Sequence, residues 1–348
     1  MFKVDFSRIK GQESALRTLS RTVLSGDYAP LYLFVGPSGV GKATAALEFA
    51  KAANCRSKTV RPCGKCQQCH KIERFVHPDV IFLMPGKPEE IAKLERRPGE
   101  VRPEGLNMGR EISIKQVREL QYELSKPPVE ARRRFVIILN GENLSLEAQN
   151  SFLKTLEEPP SSTTFVMVSS NPELILPTIR SRARQIKFNP LKFDDFAPFF
   201  EIEPEQLKVL WHISGGSVGM ARTLMENNLL ELRKPIIEVM SSRDINLLME
   251  LSGSFTSSRN AAFDFVLMFG MLLRDILLAR EGMDDLISNV DLKDRIQDAS
   301  RVISWKAIED AFKALRKVQE GLNRNVSLQN MYFTLFRPFY RDFEAVVV

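Results

Sequence analysis

Gly36, Gly39, Gly41 and Lys42 fall in the run VGPSGVGKAT, residues 35–44, at G-x-x-x-x-G-K spacing. This spacing lets backbone N–H groups and a helix N-terminus surround a phosphate, with the lysine as its point charge. The following position normally brings a hydroxyl to Mg²⁺. Ala43 offers only a methyl group there, which cannot coordinate a hard cation. Thr44 lies one place on, about 100° around a helix. The metal's other partner belongs at the end of a later strand, and that strand ends IILNGENLS. Leu139 and Asn140 stand where an Asp-Glu pair is expected, and Glu142 lies past the strand end. With no metal ligand and no base for the water, phosphoryl transfer lacks most of its parts. The loop therefore predicts a nucleotide-binding shape without hydrolysis, and passive binding of nucleotide or phosphate is left open.

All four cysteines fall in one stretch, Cys55-x7-Cys63-x2-Cys66-x2-Cys69. Four clustered thiolates suit a tetrahedral structural Zn²⁺. His70 follows the last cysteine and offers a Cys3His alternative in which it replaces Cys55. Rival readings are unliganded thiols, an iron–sulfur cluster and a zinc ribbon that touches nucleic acid. A catalytic zinc has the least support, because no carboxylate stands nearby.

The elements that must position these residues show in the apolar pattern. LYLFV (31–35), DVIFLM (79–84), RFVIIL (134–139) and TFVMVSS (164–170) are apolar enough to be buried on both faces, which predicts a mainly parallel sheet covered by helices. In SIKQVRELQYELSK, Ser113 and Gln116 form a capping box, and Ile114, Val117, Leu120 and Leu124 make one stripe of a crossover helix. After RQIKFNPL the β signal stops, so a boundary is expected near residue 190, with a helical part that divides again around residues 226–235. The charged, proline-rich segment from Pro85 to Glu111 reads as a mobile surface loop.

The chain has 348 residues, 44% of them apolar, which is enough for two or three domains. A net charge of +6 leans toward polyanionic partners, and Arg132, Arg133 and Arg134 are candidates for DNA contact or a solvated strand entrance. The N-terminus lacks the features of a signal peptide, which implies a cytoplasmic, reducing environment. The apolar run from Ala261 carries Asp264, Arg274 and Asp275, so a buried helix is expected there and not a membrane span.

LKTLEEPP (153–160) followed by PTIRSR (177–182) resembles the ATPase-like subunits of bacterial DNA polymerase III clamp loaders, members of the AAA+ superfamily. The resemblance extends over the sheet region, including the four-cysteine insertion, and continues more faintly through the helical half. It implies an AAA+ P-loop domain over residues 1–190 with a zinc module at 55–70, a small helical lid at 191–228, and a helical collar for oligomerisation at 229–348. In that family an S-R-C motif carries an arginine that reaches a neighbouring subunit's ATP site. Ser181 and Arg182 match it, with Ala183 in place of the Cys. The family's sensor-2 arginine position is taken by Gly219 in GGSVGMARTL, with Arg222 three residues later. The pattern is most similar to the delta-prime branch: a subunit that does not hydrolyse ATP but lends a trans-acting arginine finger. The partners implied are gamma/tau and delta subunits in a hetero-pentamer, a sliding clamp and primed DNA. An active gamma/tau-type ATPase and a zinc-dependent nucleic-acid-binding module are the alternatives. The stripe Ala311, Leu315 and Val318 is a candidate for packing against other subunits, with the inner face of an ordinary self-contained bundle as the rival reading.

Overall fold

The computed structural model describes residues 2–85, 111–242, 244–254, 259–322 and 328–340. Residues 86–110, most of the predicted surface loop, lie outside them. The chain divides into two compact units, residues 1–200 with 216–219, and residues 201–215 with 220–348.

The first unit carries strands β1 (Lys3–Val4), β2 (Leu31–Val35), β3 (Val60–Arg61), β4 (Val80–Leu83), β5 (Arg134–Ile138), β6 (Thr163–Ser169) and β7 (Arg184–Lys187). Five of these form one sheet in the order β4-β5-β6-β2-β7, with every pairing parallel. The register sets Leu31 beside Phe165 and Val35 beside Ser169. Alternation along β2 sends Tyr32 and Phe34 to one core, and Leu31, Leu33 and Val35 to the other. Both faces are buried, which is why these strands read as continuous apolar runs.

Helices α1 (Glu13–Ser25), α2 (Lys42–Asn54) and α3 (Gln67–Glu73) precede β4. Phe49 of α2 packs its ring 5.3 Å from both Tyr32 and Phe135. The crossover helix α4 (Ile114–Leu124) has the predicted capping box, and buries Val117, Leu120 and Leu124 with Ile114 half-buried. It shares its core with α5 (Leu146–Glu157), whose Phe152 lies 5.1 Å from Phe165. The short α6 (Pro177–Arg180) leads into β7. A second, two-stranded sheet pairs β1 with β3 and ties the N-terminal segment to the cysteine region. Two-residue strands have no period to detect, so nothing in the local pattern announces this sheet.

After β7 the described residues contain helices and no further strand: α7 (Phe193–Phe196), α8 (Pro204–Ser214), α9 (Val218–Glu226), α10 (Arg233–Ser242), α11 (Ile245–Ser254), α12 (Arg259–Arg280), α13 (Lys293–Val302), α14 (Trp305–Leu322) and α15 (Leu328–Phe336). The apolar run is α12, with Phe265, Leu272 and Ile276 buried. Its Asp275 is fully buried and accepts from Ser288 N, Asn289 N and Asn289 Nδ2 at 3.0, 2.9 and 2.7 Å. Among the described residues, no helix is long and apolar enough to cross a membrane. The stripe on α14 follows the self-contained-bundle reading. Ala311, Leu315 and Val318 are buried within the unit, and Leu315 packs at Gly270 of α12, so this face is not open to another subunit.

Candidate functional site

The glycine loop occupies the turn between β2 and α2. Gly36 has φ 150°, and a Cβ there would sit 2.1 Å from the Phe188 carbonyl oxygen, so only glycine fits. Gly41 is the N-cap of α2 and provides no side-chain cap, which leaves the first-turn N–H groups to the loop. Lys42 is 5% exposed and turns back on its own loop. Its Nζ donates to Gly36 O at 2.6 Å, to Pro37 O and to Ser170 Oγ at 3.2 Å. Ala43 is buried in the core, and Thr44 is half-buried one position along the helix.

The two carbonyls that follow are engaged by a distant segment. Ser217 Oγ donates to Ser38 O at 2.8 Å, and Gly219 N donates to Gly39 O at 3.0 Å. Leu191 N donates to Gly216 O at 2.9 Å, and Gly216 has φ 71° with room for no side chain against the Leu191 backbone. Gly219, at the sensor-2 position, thus contributes a backbone N–H and no cation. Arg222 belongs to the second unit. Leu139 is 1% exposed in the core, while Asn140 adopts φ 52° and turns the chain away. Glu142 comes back to the loop's neighbourhood. Its Oε1 accepts from Ser170 N at 3.0 Å, and its buried Oε2 has no hydrogen-bond partner. Ser170 and Ser217 were missed at the level of sequence, since isolated serines after a strand or in a glycine-rich turn carry no spacing signal.

The four cysteines converge. Their sulfurs all lie within 4.8 Å of one another, near the ~3.8 Å edge of a tetrahedron with ~2.3 Å Zn–S bonds, and the donor set is all thiolate. Backbone N–H groups already point at these sulfurs. Ser57 N and Cys63 N each lie 3.4 Å from Cys55 Sγ, and Cys66 N lies 3.3 Å from Cys63 Sγ. Such a cluster fits a structural Zn²⁺ with no open position. His70 is exposed and outside the cluster, so the Cys3His alternative is not formed. Burial pushes the Cys55 and Cys69 thiols up. At Cys66 burial acts in the same direction but is outweighed by hydrogen bonds from Arg56 N, Cys69 and the Cys63 side chain, and the thiol falls to about 6.

An ionic network joins this module to α2. Lys51 and Glu48 are each 1% exposed and pair at 2.7 Å. Lys51 also pairs with Glu73 of α3, and Arg8 reaches Glu48 and Glu73 at 3.0 Å each. Burial alone would raise the Glu73 carboxyl, but Lys51 and Arg8 hold it below the usual carboxylate range.

Arg182 follows α6, whose Ile179 is fully buried. Ser181 Oγ and Arg182 Nη1 both donate to Thr178 O, at 3.2 and 3.0 Å. Arg182 Nη2 meets Glu157 Oε1 at 3.3 Å, and the two side chains are 42% and 56% exposed. Arg180 is committed to Glu173 at 2.9 Å, and Arg184 is exposed on β7. Of the three adjacent arginines at the start of β5, Arg134, its first residue, is buried and donates to the Glu123 and Leu124 carbonyls. Arg133 lies over the Tyr28 ring, 4.6 Å from its centroid, and Arg132 is exposed.

A five-stranded parallel sheet with a glycine loop between β2, its first strand in chain order, and the following helix, continued by a helical region, is the AAA+ type of fold. The family described as "DNA polymerase III, delta subunit" matches residues 11–192. The delta-prime subunit of Bacillus subtilis is 25% identical over 92% of this chain and 93% of its own length. The delta-prime subunit of Pseudomonas aeruginosa is 31% identical over 61% of this chain and 60% of its own. A gamma-subunit-related protein of Thermotoga maritima, of solved structure, covers 94% of this chain and 99% of its own at 16% identity and a TM-score of 0.41. The chain belongs to the delta-prime family of DNA polymerase III clamp-loader subunits.

Proposed function

We propose that this chain is the non-hydrolysing member of a clamp loader and supplies Arg182 to the ATP site of an adjoining subunit. The observation that carries the reading is the contrast between its two phosphate-type features. At the glycine loop, the residue after Lys42 is a buried alanine, and Leu139, buried in the core, and Asn140 offer no carboxylate for a metal. At the other feature, an arginine stands at the surface beside the buried anchor Ile179. A guanidinium stabilises phosphoryl charge from a neighbouring chain and needs no nucleotide of its own. In this reading Ser181 and the Thr178 carbonyl shape the turn that presents it. Zn²⁺ on Cys55, Cys63, Cys66 and Cys69 is structural. Residues 191–228 act as a lid and residues 229–348 as a collar, in a hetero-pentamer with gamma/tau and delta subunits that places a sliding clamp on primed DNA.

The test is steady-state ATP turnover and clamp loading by the loader reconstituted with wild-type or Arg182→Ala chain. Arginine fingers are worth about 10³–10⁵ in rate at one site, and a machine with several sites loses less in total. Arg182→Lys should rescue poorly, since a point charge lacks the planar fork. Unchanged turnover and loading in an intact Arg182→Ala assembly would sink the assignment.

A further inference from the structure

We infer that Glu157 is the positioning residue of Arg182. The inference rests on the reading of Arg182 as a trans-acting finger. A guanidinium has five N–H donors in a rigid plane. Among the described residues only two of them are engaged, one by the Thr178 carbonyl and one by the Glu157 carboxylate. These acceptors come from different elements, so they fix the plane of the fork as well as its reach. Three donors are left for the oxygens of a phosphoryl group.

Both anchors belong to one firm piece of the fold. Glu157 ends α5, which is held in the core by Phe152 and Leu156. Gln149 of the same helix stitches it to the segment leading into α6: its Oε1 accepts from Leu176 N at 2.7 Å, and its Nε2 donates to Leu174 O at 3.2 Å. The end of α5 that carries Glu157 is thereby tied to the segment that carries Thr178. Glu173, the other carboxylate bonded within this segment, is taken by Arg180. The Arg182 pair is also half-exposed, and exposed pairs are weak. It orients the arginine without neutralising it, and gives way when phosphate oxygens compete.

The loader assay with Glu157→Ala, Glu157→Gln, Arg182→Ala and the Glu157→Ala/Arg182→Ala pair tests this. Glu157→Ala should lower kcat for ATP about 3- to 10-fold with KM for ATP unchanged, because a misaimed fork weakens stabilisation of the transition state while ground-state binding of the nucleotide is left to the adjoining subunit's own loop. Glu157→Gln keeps an acceptor oxygen and should recover to within about 2-fold of wild type. The double variant should be no slower than Arg182→Ala alone. Wild-type turnover by Glu157→Ala, faster turnover, no rescue by Gln, or additive losses would each overturn the inference, provided that Arg182→Ala is slow. If Arg182→Ala itself turns over normally, the finger reading fails, and the positioning role fails with it.

Discussion

Ser217 donates its hydroxyl hydrogen to the Ser38 carbonyl at 2.8 Å, across 179 positions of sequence. With Gly219 N on Gly39 O and Lys42 on Gly36 and Pro37, four consecutive loop carbonyls are satisfied from within the first unit. Restoring the missing hydroxyl at position 43 alone should not create an ATPase. Purified Ala43→Thr chain is expected to release phosphate from Mg-ATP no faster than wild type, since Leu139 and Asn140 still supply no carboxylate. A colorimetric phosphate assay decides, and clear turnover by the variant refutes the prediction.

Gly36 is required by geometry whatever the loop binds. Gly36→Ala places a methyl 2.1 Å from Phe188 O at φ 150°. The expected cost is ~3 kcal/mol of unfolding free energy, read from urea denaturation. A loss below ~1 kcal/mol would show that the loop relaxes freely.

Elemental analysis of the purified chain should find one Zn²⁺, held by Cys55, Cys63, Cys66 and Cys69. Cys69 is fully buried on α3, so Cys69→Ser should lose the metal and ~2–4 kcal/mol of stability. Because Lys51, Glu48 and Glu73 tie α3 to α2, loss of amide protection should spread from the module into α2 in hydrogen exchange. An iron–sulfur absorption band, or a metal-free chain of unchanged stability, contradicts this.

Asp79 gives a pH-dependent prediction. Burial would raise its carboxyl, but hydrogen bonds from Glu130 N, Val129 N and Ala131 N, together with Arg134, hold it below the usual carboxylate range. The folded-state value thus lies below the unfolded one near 3.9. The stabilisation is present above that value and is lost as pH falls through the folded one. Asp79→Asn should cost about 2 kcal/mol at pH 7, with a gap to wild type that narrows as the pH drops below about 4. Denaturation curves at pH 7 and pH 3 read it out, and a gap that widens in acid has the wrong sign.

Much of this architecture lies in local sequence, where local physics decides it. The runs at 31–35 and 134–138 are apolar on both faces because helices cover both sides of the sheet. Ser113 and Gln116 cap α4 through neighbours three residues apart. Four cysteines within fifteen positions are close in the chain before it folds, so their convergence was legible. What only the tertiary structure decided are relations between remote residues. The direction of the Lys42 ammonium depends on Ser170 and on loop carbonyls that bend back toward it. The α14 stripe is compatible in sequence with either a partner or a self-contained bundle, and α12 covers it, because amphipathicity alone never states what lies opposite an apolar face. The paired motifs LKTLEEPP and PTIRSR were visible as strings. That Glu157 of one meets Arg182 of the other at 3.3 Å follows from the packing of α5 and α6 against a common core, which no spacing along the chain encodes.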